Sequence, residues 1–117
     1  MKWLWILVLC AGCKKHSDAP APPAPERPAL PSSEIKRAQE ACQTYVDKVC
    51  ACARTVPAMT EPCARARALP DAIQVEIVIS ASPDSTRRDA LQLNDSVRKI
   101  VKECIEETAQ LPAAGCP

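Results

Sequence analysis

Phenylalanine is absent from this 117-residue chain, tryptophan occurs twice, tyrosine and histidine once each, and there are only two glycines. Each scarcity removes a class of chemistry. With Gly12 and Gly115 alone, the chain has no glycine-rich phosphate loop and no G-x-S-x-G elbow. The single histidine, His16, lies in a proline-rich stretch. A general base must be held within hydrogen-bond reach of its target, so histidine-based catalysis has no scaffold here. Trp3 and Trp5 sit at the very start and Tyr45 is the one other aromatic, which leaves none of the stacking platforms that nucleic-acid sites rely on. Charge offers no substitute, since 15 basic side chains face 14 acidic ones and no basic groove is implied. No nucleic-acid partner is expected.

What the chain does have is eight cysteines and twelve prolines, unevenly placed. The first two cysteines stand in LVLCAGCKK, residues 7–15, where Cys10 and Cys13 form a C-x-x-C. In a folded domain that spacing suggests a redox or metal site, but here it ends an apolar run. Met1-Lys2 supplies one positive charge, Trp3 to Leu9 are all apolar, and Ala11-Gly12 are the small residues a signal peptidase needs beside the scissile bond. About ten apolar residues fall short of the roughly 20 that a membrane-spanning helix requires. The segment reads as a targeting signal.

Its last residues resemble the lipobox of bacterial lipoprotein precursors, in which a leucine, a small residue and Ala or Gly precede an invariant Cys. Ala11, Gly12 and Cys13 match; Cys10 stands where the family usually has Leu, and Leu9 comes one place early. The resemblance implies that signal peptidase II cuts between Gly12 and Cys13. It also implies that the Cys13 thiol carries a diacylglycerol and that the new amino group takes a further acyl chain such as palmitate. That covalent lipid is the one prosthetic group expected, and it makes a membrane the first partner. Lys14 follows the cysteine where the family's inner-membrane retention signal is often Asp, so the resemblance favours the outer membrane of a cell envelope.

Cysteine parity bears on the same point. Removing residues 1–12 discards Cys10 and leaves Cys13 with Cys42, Cys50, Cys52, Cys63, Cys104 and Cys116. Six can pair, and the odd one is the one the lipid takes. Removal of Lys2 also brings the basic side chains level with the 14 acidic ones. Residues 14–33, KKHSDAPAPPAPERPALPSS, contain six of the twelve prolines and no bulky apolar residue but Leu30. They read as a semi-rigid polyproline tether that, at about 3.1 Å per residue, reaches up to roughly 60 Å. The expected organisation is therefore a signal peptide over 1–12, lipidated Cys13 with a disordered tether over 13–33, and one disulfide-rich domain over 34–117.

The domain's periodicity predicts an all-α fold, a bundle of three to four helices. From Ser33 as N-cap, Ile35, Ala38, Cys42, Tyr45, Val46, Val49, Ala53 and Val56 recur at helical spacing up to Pro57. A second helix starts near Thr60, tolerates Pro62 in its first turn and runs to a break at Pro70. In DAIQVEIVIS, Ile73, Val75, Ile77 and Ile79 alternate as in a strand, but no second strand exists to pair with one, so 72–80 is expected to be helical. The last helix opens at Ser82-Pro83-Asp84. Its stripe is Ala90, Leu93, Val97, Ile100, Val101, Cys104, Ile105, Thr108 and Leu111, ended by Pro112.

At about 100° per residue, Cys42 and Val49 share the centre of the first helix's stripe, and Cys50 and Cys52 fall roughly 80° to either side. The C-x-C can therefore staple that helix to two neighbours. Loop length favours Cys52 with Cys63; parallel first and last helices would pair Cys42 with Cys104 and bring Cys116 to Cys50. Six cysteines leave other connectivities open. A redox dithiol at Cys50 and Cys52 needs exposure, and zinc is less expected where thiols oxidise, so structural disulfides are the stronger reading and no catalytic or metal residue is assigned. CQTYVDKVCAC and VRKIVKECIEE are similar to small cysteine-rich bacterial lipoproteins, a resemblance that implies no chemistry. The function expected is a lipid-anchored cell-envelope protein that acts as a non-enzymatic interaction or accessory module, its partner not specified by the sequence. A carrier of small apolar ligands, lined by IQVEIVI, is the second reading, and a thiol-disulfide oxidoreductase using Cys50 and Cys52 the third.

Overall fold

The computed structural model describes residues 28–117. The signal peptide expected over 1–12, Gly12 and Cys13 as the expected cleavage and lipidation residues, and most of the expected tether lie outside the described residues. Within them the chain is helical throughout, with α1 (Ser32–Ala53), α2 (Thr60–Ala66), α3 (Ala68–Ala81), α4 (Arg87–Gln110), and single 3-10 turns at Pro57–Met59 and Pro112–Ala114. Residues 72–80 are helical, inside α3, despite their alternating branched side chains.

α1 and α4 are the frame. Ala38, Cys42, Tyr45, Val49 and Cys52 are the buried residues of α1, spaced by threes and fours, and Ala90, Asn94, Val97 and Cys104 are those of α4. The two helices run parallel, because their contacts advance together: Glu34 with Arg98, Cys42 with Cys104, Cys52 with Cys116. α3 lies antiparallel against both, with Gln39 of α1 donating to Gln74 at 3.1 Å and Ser96 of α4 donating to Glu76 at 2.7 Å. Ile73 is the buried residue of α3 and sits fully inside the core.

Several boundaries differ from expectation, each for a local reason. α1 starts at Ser32 with Pro31 as N-cap, and the Pro31 carbonyl accepts from the N–H groups of Glu34 and Ile35, so Ser33 is inside the helix. The folded part also begins before residue 34. Leu30 is buried in the core, and Asn94 donates from Nδ2 to the Pro28 carbonyl at 2.9 Å, which pins residues 28–31 to α4. The break expected at Pro70 falls instead at Arg67, between α2 and α3. Pro70 lies in the first turn of α3, where its missing N–H has no acceptor to forgo.

The last helix opens at Thr86, not Ser82. Thr86 and Asp89 form a reciprocal capping box: Asp89 N–H donates to Thr86 Oγ1 at 3.2 Å, while the Thr86 N–H and hydroxyl both donate to Asp89 Oδ2. Ser82 instead ends α3, its N–H donating to the Ile79 carbonyl. The stripe predicted on α4 is also shifted: Asn94 is buried, whereas Ile105 is 53% exposed.

Ile73→Ala, at the fully buried centre of α3, is expected to cost about 2–5 kcal/mol of unfolding free energy in a denaturant melt. Thr86→Ala, which removes the cap, is expected to cost about 1 kcal/mol. Hydrogen bonds from the Thr86 hydroxyl and then its N–H hold the Asp89 carboxyl below its ordinary pKa. Such a group favours folding above its unfolded pKa, and the contribution fades as pH falls through the folded value. Stability of the wild-type chain should therefore drop below about pH 4, and that of Thr86→Ala should drop less. An equal acid loss in the two proteins would contradict the capping account.

Candidate functional site

All six cysteines of the described residues are bonded to one another: Cys42–Cys104, Cys50–Cys63 and Cys52–Cys116. Cys42 takes the partner that parallel helices imply. The other two bonds exchange partners relative to the pairing expected from loop length, and the register of α1 explains why. Glu34 and Cys52 are eighteen residues apart, about five turns at 3.6 residues per turn, so they share one face. Glu34 meets Arg98 of α4 at 2.7 Å, so Cys52 faces α4 and the tail that follows it. Gln39 and Cys50 are eleven residues apart, about three turns, and Gln39 faces α3, next to α2. Cys50 thus meets Cys63. Against this, the loop-length preference for Cys52 with Cys63 amounts to only ~0.15 kcal/mol, because closure entropy varies with the logarithm of length.

The same geometry bears on the chemistry available to C-x-C. Two residues apart on a helix, Cys50 and Cys52 project about 200° from each other and are bonded to different elements. They do not form a dithiol that opens and recloses on itself. Tyr45 is buried in the same stripe, and its hydroxyl is held above the ordinary pKa, first by burial and then by the negative charge of Glu107. It stays neutral and acts as a packing residue. Among the described residues no group of three or more His, Cys, Asp or Glu is placed to hold a metal ion, and no helix is long and apolar enough to cross a membrane.

The features left for recognition are surfaces. Parallel α1 and α4 touch along one line and leave an open groove on the side away from α3. It has a volume of about 420 Å³ toward Glu34, Val97 and Arg98 and continues into about 320 Å³ toward Thr44 and Thr108, with Arg37 and Ile105 common to both parts. The sidedness follows from α1, where Gln39 reaches α3 and the groove residues Arg37 and Ala41 stand two places to either side, about 200° away. On the far side of the molecule α3 turns Val75, Val78 and Ile79 to solvent at 56%, 59% and 47% exposure. Of the segment IQVEIVI only Ile79 borders a cleft, an open one of about 530 Å³ shared with Asp89, Gln92, Leu93, Ser96 and Lys99 of α4. No protein family matches the chain, and neither does any curated protein or solved structure.

The exchanged bonds can be read directly. A Cys63→Ser chain, purified oxidised and alkylated without reduction, is expected to carry its label on Cys50, located by fragmentation of the peptide that contains both cysteines of the C-x-C. A label on Cys52 would mean that the tail pairs with Cys50 instead.

Proposed function

We propose that the protein is a lipid-anchored, non-enzymatic module of a bacterial cell envelope, carried by its lipid on Cys13 and acting by binding another protein. The observation that carries this reading is the closure of the cysteine set. Cys42, Cys50, Cys52, Cys63, Cys104 and Cys116 take one another as partners, so none of them is available to Cys13. Cys13 ends a short apolar signal behind Ala11 and Gly12, and its resemblance to the lipobox of bacterial lipoprotein precursors implies that this thiol is the acylated one. Three disulfides also fit an exported chain, since such bonds persist in oxidising compartments.

The rest of the fold is consistent with binding rather than turnover. The C-x-C is spent on two separate staples, and Tyr45 is packed and neutral. Exposed branched side chains on α3 and the open α1–α4 groove are the kind of apolar surface that marks an interaction site. The carrier reading is weaker, because Val75 and Val78 face solvent and Ile79 borders only an open cleft whose other lining residues, Asp89, Gln92, Leu93, Ser96 and Lys99, are mostly polar. Lys14 after the acylated cysteine favours the outer membrane as the place of display.

Intact mass of the membrane-extracted protein tests the anchor. The wild-type chain is expected to begin at Cys13 with acyl and diacylglycerol mass on that residue and no alkylatable thiol. The Cys13→Ser chain is expected to carry no lipid mass, with its three disulfides intact. Wild-type protein that carries no lipid, or that exposes two or more free thiols, would sink the reading.

A further inference from the structure

The ridge on α3 and the groove between α1 and α4 match each other. Val75, Val78 and Ile79 stand on the outward face of α3, and Asp71 lies on the same face one turn before Val75. From Asp71 to Ile79 the ridge is about 12 Å long at ~1.5 Å per residue; the α1 wall of the groove, from Glu34 to Thr44, is about 15 Å. The groove floor is apolar and small on the α1 side, with Ala38 and Ala41, and branched on the α4 side, with Val101 and Ile105.

Charge agrees with shape. Among the charged residues lining the groove, Glu34 pairs with Arg98 at 2.7 Å and Glu40 pairs with Lys36 at 3.9 Å. Arg37, which both halves of the groove share, forms no ion pair among the described residues, and neither does Asp71 on the ridge. One surface therefore carries an unpaired cation in an apolar groove and the other an unpaired anion on an apolar ridge.

We propose that the α3 ridge of one molecule docks into the α1–α4 groove of a second copy, with Asp71 against Arg37 and the branched side chains of the ridge on Ala41 and Ile105. This is helix-in-groove recognition. The two surfaces face opposite ways, because Gln39 and Ser96, which reach α3, are each two residues round the helix from the groove residues Arg37 and Arg98. One molecule can thus use both at once, and the association is head-to-tail rather than a two-fold pair. The proposal gives the interaction reading above its partner and does not depend on the lipid.

Full chains bearing two different C-terminal tags, co-expressed, cross-linked in the cells and extracted in detergent, test it. Val78→Asp spoils the ridge and leaves the groove; Ile105→Glu spoils the groove and leaves the ridge. Both positions are exposed, so each variant is expected to keep its three disulfides, checked by the absence of alkylatable thiols. Wild-type copies should recover one another. Each variant paired with itself should recover roughly tenfold less or lower, since a buried unpaired charge opposes the contact. Val78→Asp mixed with Ile105→Glu should recover one another again, because one intact ridge meets one intact groove.

Absence of recovery between wild-type copies overturns the proposal, as does undiminished recovery in either variant alone or failure of the mixed pair. Val75→Asp and Ala41→Glu stand in for a variant that shows free thiols. The lipid mass on Cys13 is read on the same samples, so loss of the anchor reading and loss of this contact are separate results.

Discussion

Parallel packing of α1 and α4 is the arrangement from which the rest of the structure follows. Two parallel neighbours cannot be joined by a tight turn, so the chain between them must travel back the full length of the pair. α2 and α3 are that return path, and α3 makes it useful by laying Ile73 into the core. Covalent bonds then hold the pair at two levels, Cys42–Cys104 along its length and Cys52–Cys116 at its end. The first closes a separation of 62 residues, which in the chain-entropy account stabilises by about 4 kcal/mol. Once it exists, the second closes only the two arms beyond it, about 22 residues, and contributes about 3 kcal/mol. The gain per bond falls because the first has already removed most of the freedom.

The periodic features of this fold were legible in the sequence. Apolar residues at threes and fours from Ile35 to Ala53 and from Ala90 to Leu111 mark α1 and α4, although α1 stops at Ala53, short of the Pro57 to which the spacing extended, and Val56 is extended. The helical state of 72–80 follows from an argument about pairing, since a single strand has nowhere to place its backbone hydrogen bonds. Boundaries were less legible, because competing caps differ by their partners. Ser82 followed by proline and aspartate has a plausible cap composition, but Thr86 has Asp89 three residues on and closes a reciprocal pair of bonds. The bond from Asn94 to Pro28 joins residues sixty-six apart, and Leu30 is buried beside it in a core built from all the helices, for which local spacing carries no signal.

Disulfide connectivity shows which sequence argument carried weight. Closure entropy ranked Cys52 with Cys63 ahead by a negligible margin, while the helical phase of α1 separates Cys50 from Cys52 by about 200° and commits each to one side. Phase was readable from residue numbers alone. Its meaning was not, because it requires knowing that α4 lies on the Glu34 side and α3 on the Gln39 side, and those are tertiary facts. The groove escaped for the same reason. Ile105 keeps perfect stripe spacing, yet parallel helices meet along one line, and a residue at the margin of the stripe ends beside the contact instead of within it.

α3 is the element whose sequence and placement disagree. A helix that is apolar on most of its faces is ordinarily enclosed, yet Ile73 alone is buried, while Ile77 is half-buried and Val75, Val78 and Ile79 are open to solvent. Stability of the fold does not explain those outward side chains, since removing them from water would require a neighbour that the described chain does not supply. Nor does the core need them, because α1 and α4 are closed by their own stripes and by two disulfides between their lengths and ends. Covalent closure of the frame is what makes such a surface tolerable. A domain held together by three bonds keeps its shape with an uncovered apolar ridge, whereas one that relied on burial alone would have little core to spare at this size. The exposed ridge is thus a feature the staples permit, and its chemistry, branched aliphatics with one acid, is the basis on which a second copy is proposed to cover it.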